Sequence, residues 1–162
     1  MVDDLHGDAP KEKKCIVAGC LVIKGGKVLL LNHAKIGAWL PPGGHMEGDE
    51  FPYETALRET KEETGLDVEL IHEDAGMHRD DLAYTLDNPF TIMHERVPYK
   101  TKPPHIHFDM IYIAKVVGGT LNFNKESTGI GWFGPEELKT LDTLPNVRRV
   151  ALDALEKYGR KL

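Results

Sequence analysis

The amino-acid sequence predicts a single-domain α/β sandwich, and two observations carry that expectation. Short runs rich in valine, isoleucine and leucine, bounded by glycine pairs, recur along the chain and read as strands. Among them stand segments with helical periodicity, the clearest from Phe51 to Thr64 and from Pro145 to Tyr158. Strands interleaved with two or three helices pack as a sheet covered by helical layers. At 162 residues the chain is long enough to bury a core of that kind.

Taken in order, residues 1–14 open on an acidic, polar stretch unlike a signal peptide and are expected as a flexible tail, with one domain over 15–162. Cys15 to Ile23 reads as a strand, and Lys24-Gly25-Gly26 as a hairpin turn into a second strand, Lys27 to Asn32. Trp39-Leu40 leads into Pro41-Pro42-Gly43-Gly44, a rigid turn whose glycines let backbone carbonyls approach a metal or a phosphate. The first helix follows. Pro52 suits its first turn, Gly65 suits the left-handed residue past its end, and Asp49 is the candidate cap.

Asp67 to His72 reads as a strand leaving that helix. The segment from Glu73 to Pro104 contains one strand, Phe90 to Val97, and is otherwise irregular, which in a compact domain marks a functional loop. His105 to Val117 is a long strand, and Gly118-Gly119 turns it into a short one, Thr120 to Phe123. Ile130 to Phe133 is another strand, and Gly134-Pro135-Glu136-Glu137 opens a short helix. The last helix carries Val147, Val150, Ala151, Ala154 and Leu155 as its apolar stripe.

The chemistry concentrates between Gly44 and Leu66. Gly44, Glu50, Arg58, Glu59, Glu62, Glu63 and Gly65 stand at fixed spacings there. A helix turns about 100° per residue, so Glu59, Glu62 and Glu63 fall within one arc, and Arg58 is placed to pair with Glu62 four residues on. Three adjacent carboxylates raise one another's pKa unless a cation neutralises them. Oxygen donors alone suit a hard ion such as Mg²⁺ or Mn²⁺ rather than zinc. Tyr53, Ala56, Leu57, Thr60 and Thr64 make the opposite, packing face. A solvated glutamate-rich surface helix is the plainer alternative, but it leaves the arginine, the four spaced glutamates and both glycine ends unexplained.

This segment resembles the signature box of the Nudix hydrolases: Gly, five residues, Glu, seven residues, Arg-Glu, an aliphatic residue, any residue, Glu-Glu, any residue, Gly, aliphatic. Every charged and glycine position matches, and the box covers about a seventh of the chain. Thr60 departs, standing where the family has an aliphatic residue. Its hydroxyl can return to the carbonyl four residues back, so a small stability cost is expected rather than lost activity. The resemblance implies a Nudix-type α/β/α sandwich, a mixed curved sheet between helical layers, with the box helix lining the cleft. It further implies Mg²⁺, with Mn²⁺ as a substitute, held by Glu59, Glu62, Glu63, the Gly43 carbonyl and Glu126, a glutamate on the late loop. Glu62, Glu63 and Glu126 all stay open as the general base, and Arg58 completes the catalytic set.

Other residues extend the site. His105, His107 and Asp109 alternate along a strand and share a face. They read as cleft lining, against the alternatives of a transition-metal site or an ordinary polar face. His45, beside the glycine pair, is assigned with His105 and His107 to the substrate, although a surface turn residue is the plainer reading. Trp39 and Tyr112 can stack a base, but aromatic residues at strand positions more often belong to the core.

Composition narrows the class. Acidic residues outnumber basic ones by 26 to 20, which argues against binding a nucleic-acid polymer or a membrane through a basic face. An acidic protein needs cations between its carboxylates and a polyphosphate. No apolar stretch approaches the length of a membrane span. The two cysteines, Cys15 and Cys20, lie in an apolar run without zinc-ligand spacing, so both are expected reduced and buried, consistent with a cytoplasmic protein.

The expected activity is metal-dependent hydrolysis of a phosphoanhydride in a nucleoside diphosphate linked to a group X. A nucleoside triphosphate giving monophosphate and pyrophosphate ranks first, before ADP-ribose, a dinucleoside polyphosphate or a nucleotide sugar. A ligand-sensing module without catalysis is the alternative from another class, and a homodimer is left open.

Overall fold

A computed structural model describes residues 13–72, 78–96 and 105–162. The expected tail up to Glu12, and residues 73–77 and 97–104 of the long loop, lie outside the described residues. Along the rest run β1 (Lys14–Lys24), β2 (Lys27–His33), β3 (Ala38–Leu40), β4 (Gly43–His45), α1 (Pro52–Thr64), β5 (Leu66–Leu70), β6 (Thr91–Arg96), β7 (Ile106–Gly119), β8 (Ser127–Phe133), α2 (Pro135–Thr140) and α3 (Pro145–Tyr158).

The strands form one mixed sheet of eight, with β1 and β7 parallel at its centre in register from Lys14 opposite Ile106 to Ile23 opposite Lys115. β6 pairs with the first half of β7 and β5 with the second. β1 divides its other edge in the same way. It meets β2 only at Ile23–Val28 and Lys24–Lys27, beside the turn where Gly25 and Gly26 take positive φ, and it meets β4 over Val17 to Gly19. β2 turns away to pair with β3 and β8. The sheet therefore opens between β1 and β2.

Alternating side chains of the central strands feed two cores. Leu21, Ile23, Ile111 and Ile113 pack beneath α2 and α3, against Leu138, Val147, Ala151, Ala154, Leu155 and Tyr158. Ala18, Cys20, Val22, Tyr112 and Ala114 pack on the other face against Ala56 of α1. Tyr112 is core, and Trp39 packs edge-on to Phe133 at 4.8 Å between ring centroids. Both take the packing role rather than a stacking one.

Several boundaries differ from the sequence expectation. β1 begins at Lys14, and the Lys13 carbonyl accepts a hydrogen bond from the Ile106 N–H, so the sheet reaches into the expected tail. Gly43 to His45 is a short strand on β1 rather than part of a free turn. Thr120 to Phe123 is not a strand: the Asn122 N–H donates to the last carbonyl of α1, at Thr64, and the segment closes over the helix end instead. The left-handed Gly65, φ 71°, touches the Thr120 carbonyl there, and no side chain fits between them. Asp49 does not cap α1, whose N-cap residue is Phe51; the Glu54 carboxylate accepts the Phe51 N–H at 2.8 Å.

Close backbone approach holds the opened edge together. The Cys20 N–H donates to the Pro42 carbonyl at 3.0 Å, and a Cβ on Gly19 would lie 2.5 Å from that same oxygen. Gly19→Ala must therefore push β4 outward, at a cost of roughly 1–3 kcal/mol for overpacking. Thermal melts should show Gly19→Ala several degrees below wild type. Gly129→Ala, whose new methyl meets Trp39 at an ordinary 3.4 Å, should shift far less.

Candidate active site

α1 places its groups by packing three threonines and an alanine inward. Thr55, Ala56, Thr60 and Thr64 are fully buried, and Tyr53 and Leu57 are partly covered by the same core. Thr60 donates its hydroxyl to the Ala56 carbonyl at 2.7 Å, as its place in the box predicts, and Thr64 does the same to Thr60. Their hydroxyls are satisfied within the helix, so small residues can bring α1 close to the sheet. That closeness turns Glu59 and Glu63 toward the opening between β1 and β2.

Glu63 is only 6% exposed and accepts the Gly43 N–H at 2.9 Å. Gly44 lies directly under Glu59: a Cβ at Gly44 would overlap its carboxylate. The paired glycines thus serve two functions, one lending an N–H and the other leaving space. Burial raises the pKa of Glu63 to about 7 against the Gly43 hydrogen bond, with help from Glu59, Glu126 and Glu62. Burial also raises Glu59, although Arg58 works against it.

Arg58 organises the entrance, holding Glu50 and Glu59 more closely than Glu62, the partner expected. Its Nε and Nη2 hold the two oxygens of Glu50 at 2.6 and 3.1 Å, and its Nη1 holds Glu59 at 2.8 Å. The Glu62 contact is the long one at 3.4 Å, and Glu62 is largely exposed. Arg58 also donates to the His45 carbonyl at 3.1 Å, tying α1 to the end of β4. Those hydrogen bonds, with one from Thr55, pull Glu50 down to about 2.

A cavity of about 400 Å³ opens from these groups. Gly43, His45, Glu59, Glu63, His107 and Glu126 all line it. Glu126 is carried there by the loop before β8, whose Glu126 carbonyl accepts the Ala34 N–H at 2.9 Å. Glu62 lies outside that cavity, in a shallower cleft shared with Glu47, Glu59, Asn124, Lys125 and Glu126. His105 precedes β7 and does not line the cavity; its Nε2 lies 2.8 Å from that of His107. Burial, followed by His45 and His105, pulls His107 down to about 4, so it is neutral at pH 7.

Two groups in the cavity, Glu95 and His33, were invisible in the sequence, whereas Asp109 lines it as expected. Glu95 of β6 and the buried Asp109 of β7 form a carboxyl pair, hydrogen-bonded to each other; burial raises both, and the neighbouring Glu95 raises Asp109 further. Asn146 of α3 donates to Glu95 from the far side. His33, lowered by burial, also lines the wall. Neither Glu95 nor His33 has a spacing signal, because strand pairing and the turn of β2 bring them in. Beyond the carboxylates the walls become apolar, with Leu40, Met93, Ile111, Leu144, Val147 and Val150.

Comparison with known proteins gives a family and a fold. The NUDIX domain profile matches residues 13–155. A MutT-like protein of Streptomyces ambofaciens is 31% identical over 144 residues, covering 88% of this chain and 77% of that one. The asymmetrical bis(5'-nucleosyl)-tetraphosphatase of Mus musculus is 38% identical over 67 residues, covering 41% and 46%. The crystal structure of a NUDIX-family hydrolase from Clostridium perfringens superimposes with a TM-score of 0.73 at 28% identity, covering 90% of this chain and 98% of that one.

The buried carboxylate sets a pH dependence of stability in the metal-free protein. Glu63 titrates at about 7 when folded and near its ordinary 4.5 when unfolded. The stability its neutral form contributes is fully present below about 4.5 and is lost as pH rises through about 7, a change of about 3 kcal/mol. With chelator present, wild type should lose more Tm between about pH 5 and pH 8 than Glu63→Gln, which has no proton to lose there. Equal losses in the two proteins would show that Glu63 is not held neutral by burial.

Proposed function

The chain belongs to the Nudix hydrolase family, which acts on nucleoside diphosphate-linked substrates, and from that premise we propose that it cleaves nucleoside triphosphates to monophosphate and pyrophosphate with Mg²⁺. The observation that carries this reading is the convergence of Glu59, Glu63 and Glu126 on one end of a cavity whose other end is apolar. One end suits a cation-bridged diphosphate, and the other a nucleoside.

The residues present fit a hard divalent cation. Their donors are carboxylate oxygens, and burial raises both Glu59 and Glu63, Glu59 against the pull of Arg58. Glu59 and Glu63 would hold the ion with the Gly43 carbonyl, and Glu62 and Glu126 would supplement them. When bound, it neutralises the diphosphate and makes a water more acidic; Mn²⁺ substitutes for Mg²⁺.

The chain's own groups do the rest. Arg58, clamped by Glu50, fixes the Glu59 carboxylate, and the Gly43 N–H fixes that of Glu63. One of Glu62, Glu63 and Glu126 takes the proton of the attacking water as the water oxygen bonds to one phosphorus and the P–O bond to the leaving phosphate breaks. His107, on the wall beside the carboxylates, contacts the phosphate chain or the sugar. The similarity to the tetraphosphatase favours one second reading, a dinucleoside polyphosphate, in which one nucleoside fills the cavity and the other lies outside.

A screen of nucleoside triphosphates, dinucleoside polyphosphates, ADP-ribose and nucleotide sugars, with both products identified, separates these readings. Turnover should disappear with chelator and return with Mg²⁺ or Mn²⁺; full turnover in excess chelator would sink the metal-dependent reading. Glu63→Gln should lower the rate by orders of magnitude and keep the fold, whereas Glu54→Gln, at the helix start, should matter far less. Equal loss in both would contradict the assignment of Glu63 to the metal.

His107→Ala distinguishes binding from chemistry. A contact made equally in the ground and transition states raises KM and leaves kcat largely unchanged. Mg²⁺ titration at saturating substrate should give wild-type behaviour for that variant. A joint fall in kcat and bound metal would instead place His107 among the metal's ligands.

A further inference from the structure

The sheet gathers a second group of ligating atoms that no spacing in the sequence reveals. Cys15 of β1, His45 at the end of β4 and His105 before β7 each present a thiol or imidazole atom, and these atoms lie within 4.8 Å of one another. Strand register brings them together. Cys15 stands opposite His107 across the parallel β1–β7 pair, and Val17, on the next residue of the same face, stands opposite His45. The His45 ring lies 5.9 Å from that of His105 and 5.1 Å from that of His107, centroid to centroid.

We propose that Cys15, His45 and His105 form a zinc-binding site at the rim of the catalytic cavity, separate from the carboxylates of α1. Donor chemistry selects the ion: a thiolate with imidazoles favours Zn²⁺ and disfavours Mg²⁺. Geometry permits it. Tetrahedral zinc with Zn–S of about 2.3 Å and Zn–N of about 2.0–2.1 Å sets its ligand atoms roughly 3.3–3.6 Å apart. The present cluster reaches that spacing by movements of about 1 Å, and none of the three residues is fully buried. Binding displaces the Cys15 proton and leaves a fourth position for water or for His107, whose Nε2 lies 2.8 Å from that of His105.

The site is coupled to the catalytic groups by β4. The residue that offers its imidazole to zinc also offers its carbonyl to Arg58, and two residues earlier Gly43 holds Glu63. Zinc therefore clasps the starts of β1 and β7 to the strand that positions both catalytic contacts.

Cobalt(II) is the probe, titrated into the full chain with Mg²⁺ in excess to occupy the carboxylates. One equivalent should produce a thiolate-to-cobalt charge-transfer band in the near ultraviolet, and Zn²⁺ should abolish it. Cys15→Ser should remove the band, His105→Ala should weaken cobalt binding at least tenfold, and Glu63→Gln should leave the band intact. Circular dichroism checks the fold of each variant, and His105→Ala decides if Cys15→Ser does not fold. The proposal is overturned if wild type shows no band, if the band survives Cys15→Ser, if His105→Ala binds cobalt like wild type, or if Glu63→Gln removes the band. Because the readout is a sulfur-to-metal transition, its failure leaves the phosphoanhydride chemistry at the carboxylates unaffected.

Discussion

The hydrogen bond from the Gly43 N–H to the buried Glu63 carboxylate is the contact around which this molecule is arranged. A carboxylate removed from water is costly, and one backbone N–H compensates only part of that cost. The remainder is a standing demand for positive charge at a defined point. α1 can bring Glu63 to that point only because its packing face is made of small residues. β4 can bring Gly43 only because β1 and β2 part after two paired residues. Sheet topology and helix composition thus converge on one oxygen atom.

Arg58 is the second fixed element, and its partners explain the spacing of the box. Glu50 takes both ends of a bidentate contact, so the long gap between these residues is the distance from the loop before α1 to its second turn. Half-buried pairs of this kind are held better than exposed ones, because less solvent competes for each group. The arginine's charge is nonetheless largely committed to Glu50 and Glu59. It orients carboxylates and does not remove their need for a cation. Glu62, the exposed member of the cluster, gains least from Arg58 and sits in the outer cleft.

The cavity has three kinds of wall, each from a different part of the fold. α1 and the Glu126 loop supply anionic oxygens, the β6–β7 pair supplies a protonatable carboxyl couple beside neutral His107, and α3 supplies apolar side chains. A ligand spanning them meets charge at one end and a low-dielectric surface at the other. This gradient suits a molecule that is itself anionic at one end and flat and weakly polar at the other.

Local periodicity determined much of this in the sequence alone. Pro52, Gly65 and the inward threonines define α1 because helix geometry relates residues three and four apart, and the carboxylate spacing follows from the same repeat. The return of the Thr60 hydroxyl to Ala56 and most strand positions were legible for that reason. Other features depended on which strand lies beside which, a relation between distant residues that no local spacing encodes. Gly43 to His45 became a strand because β1 lacked a partner there, and Thr120 to Phe123 did not because the end of α1 claimed its backbone. The Glu95–Asp109 couple, the choice of Glu50 for Arg58 and the meeting of Cys15 with His45 and His105 belong to the same class. Sequence decides what each segment can become; long-range pairing decides which side chains meet, because only the assembled sheet sets distances between residues far apart in the chain.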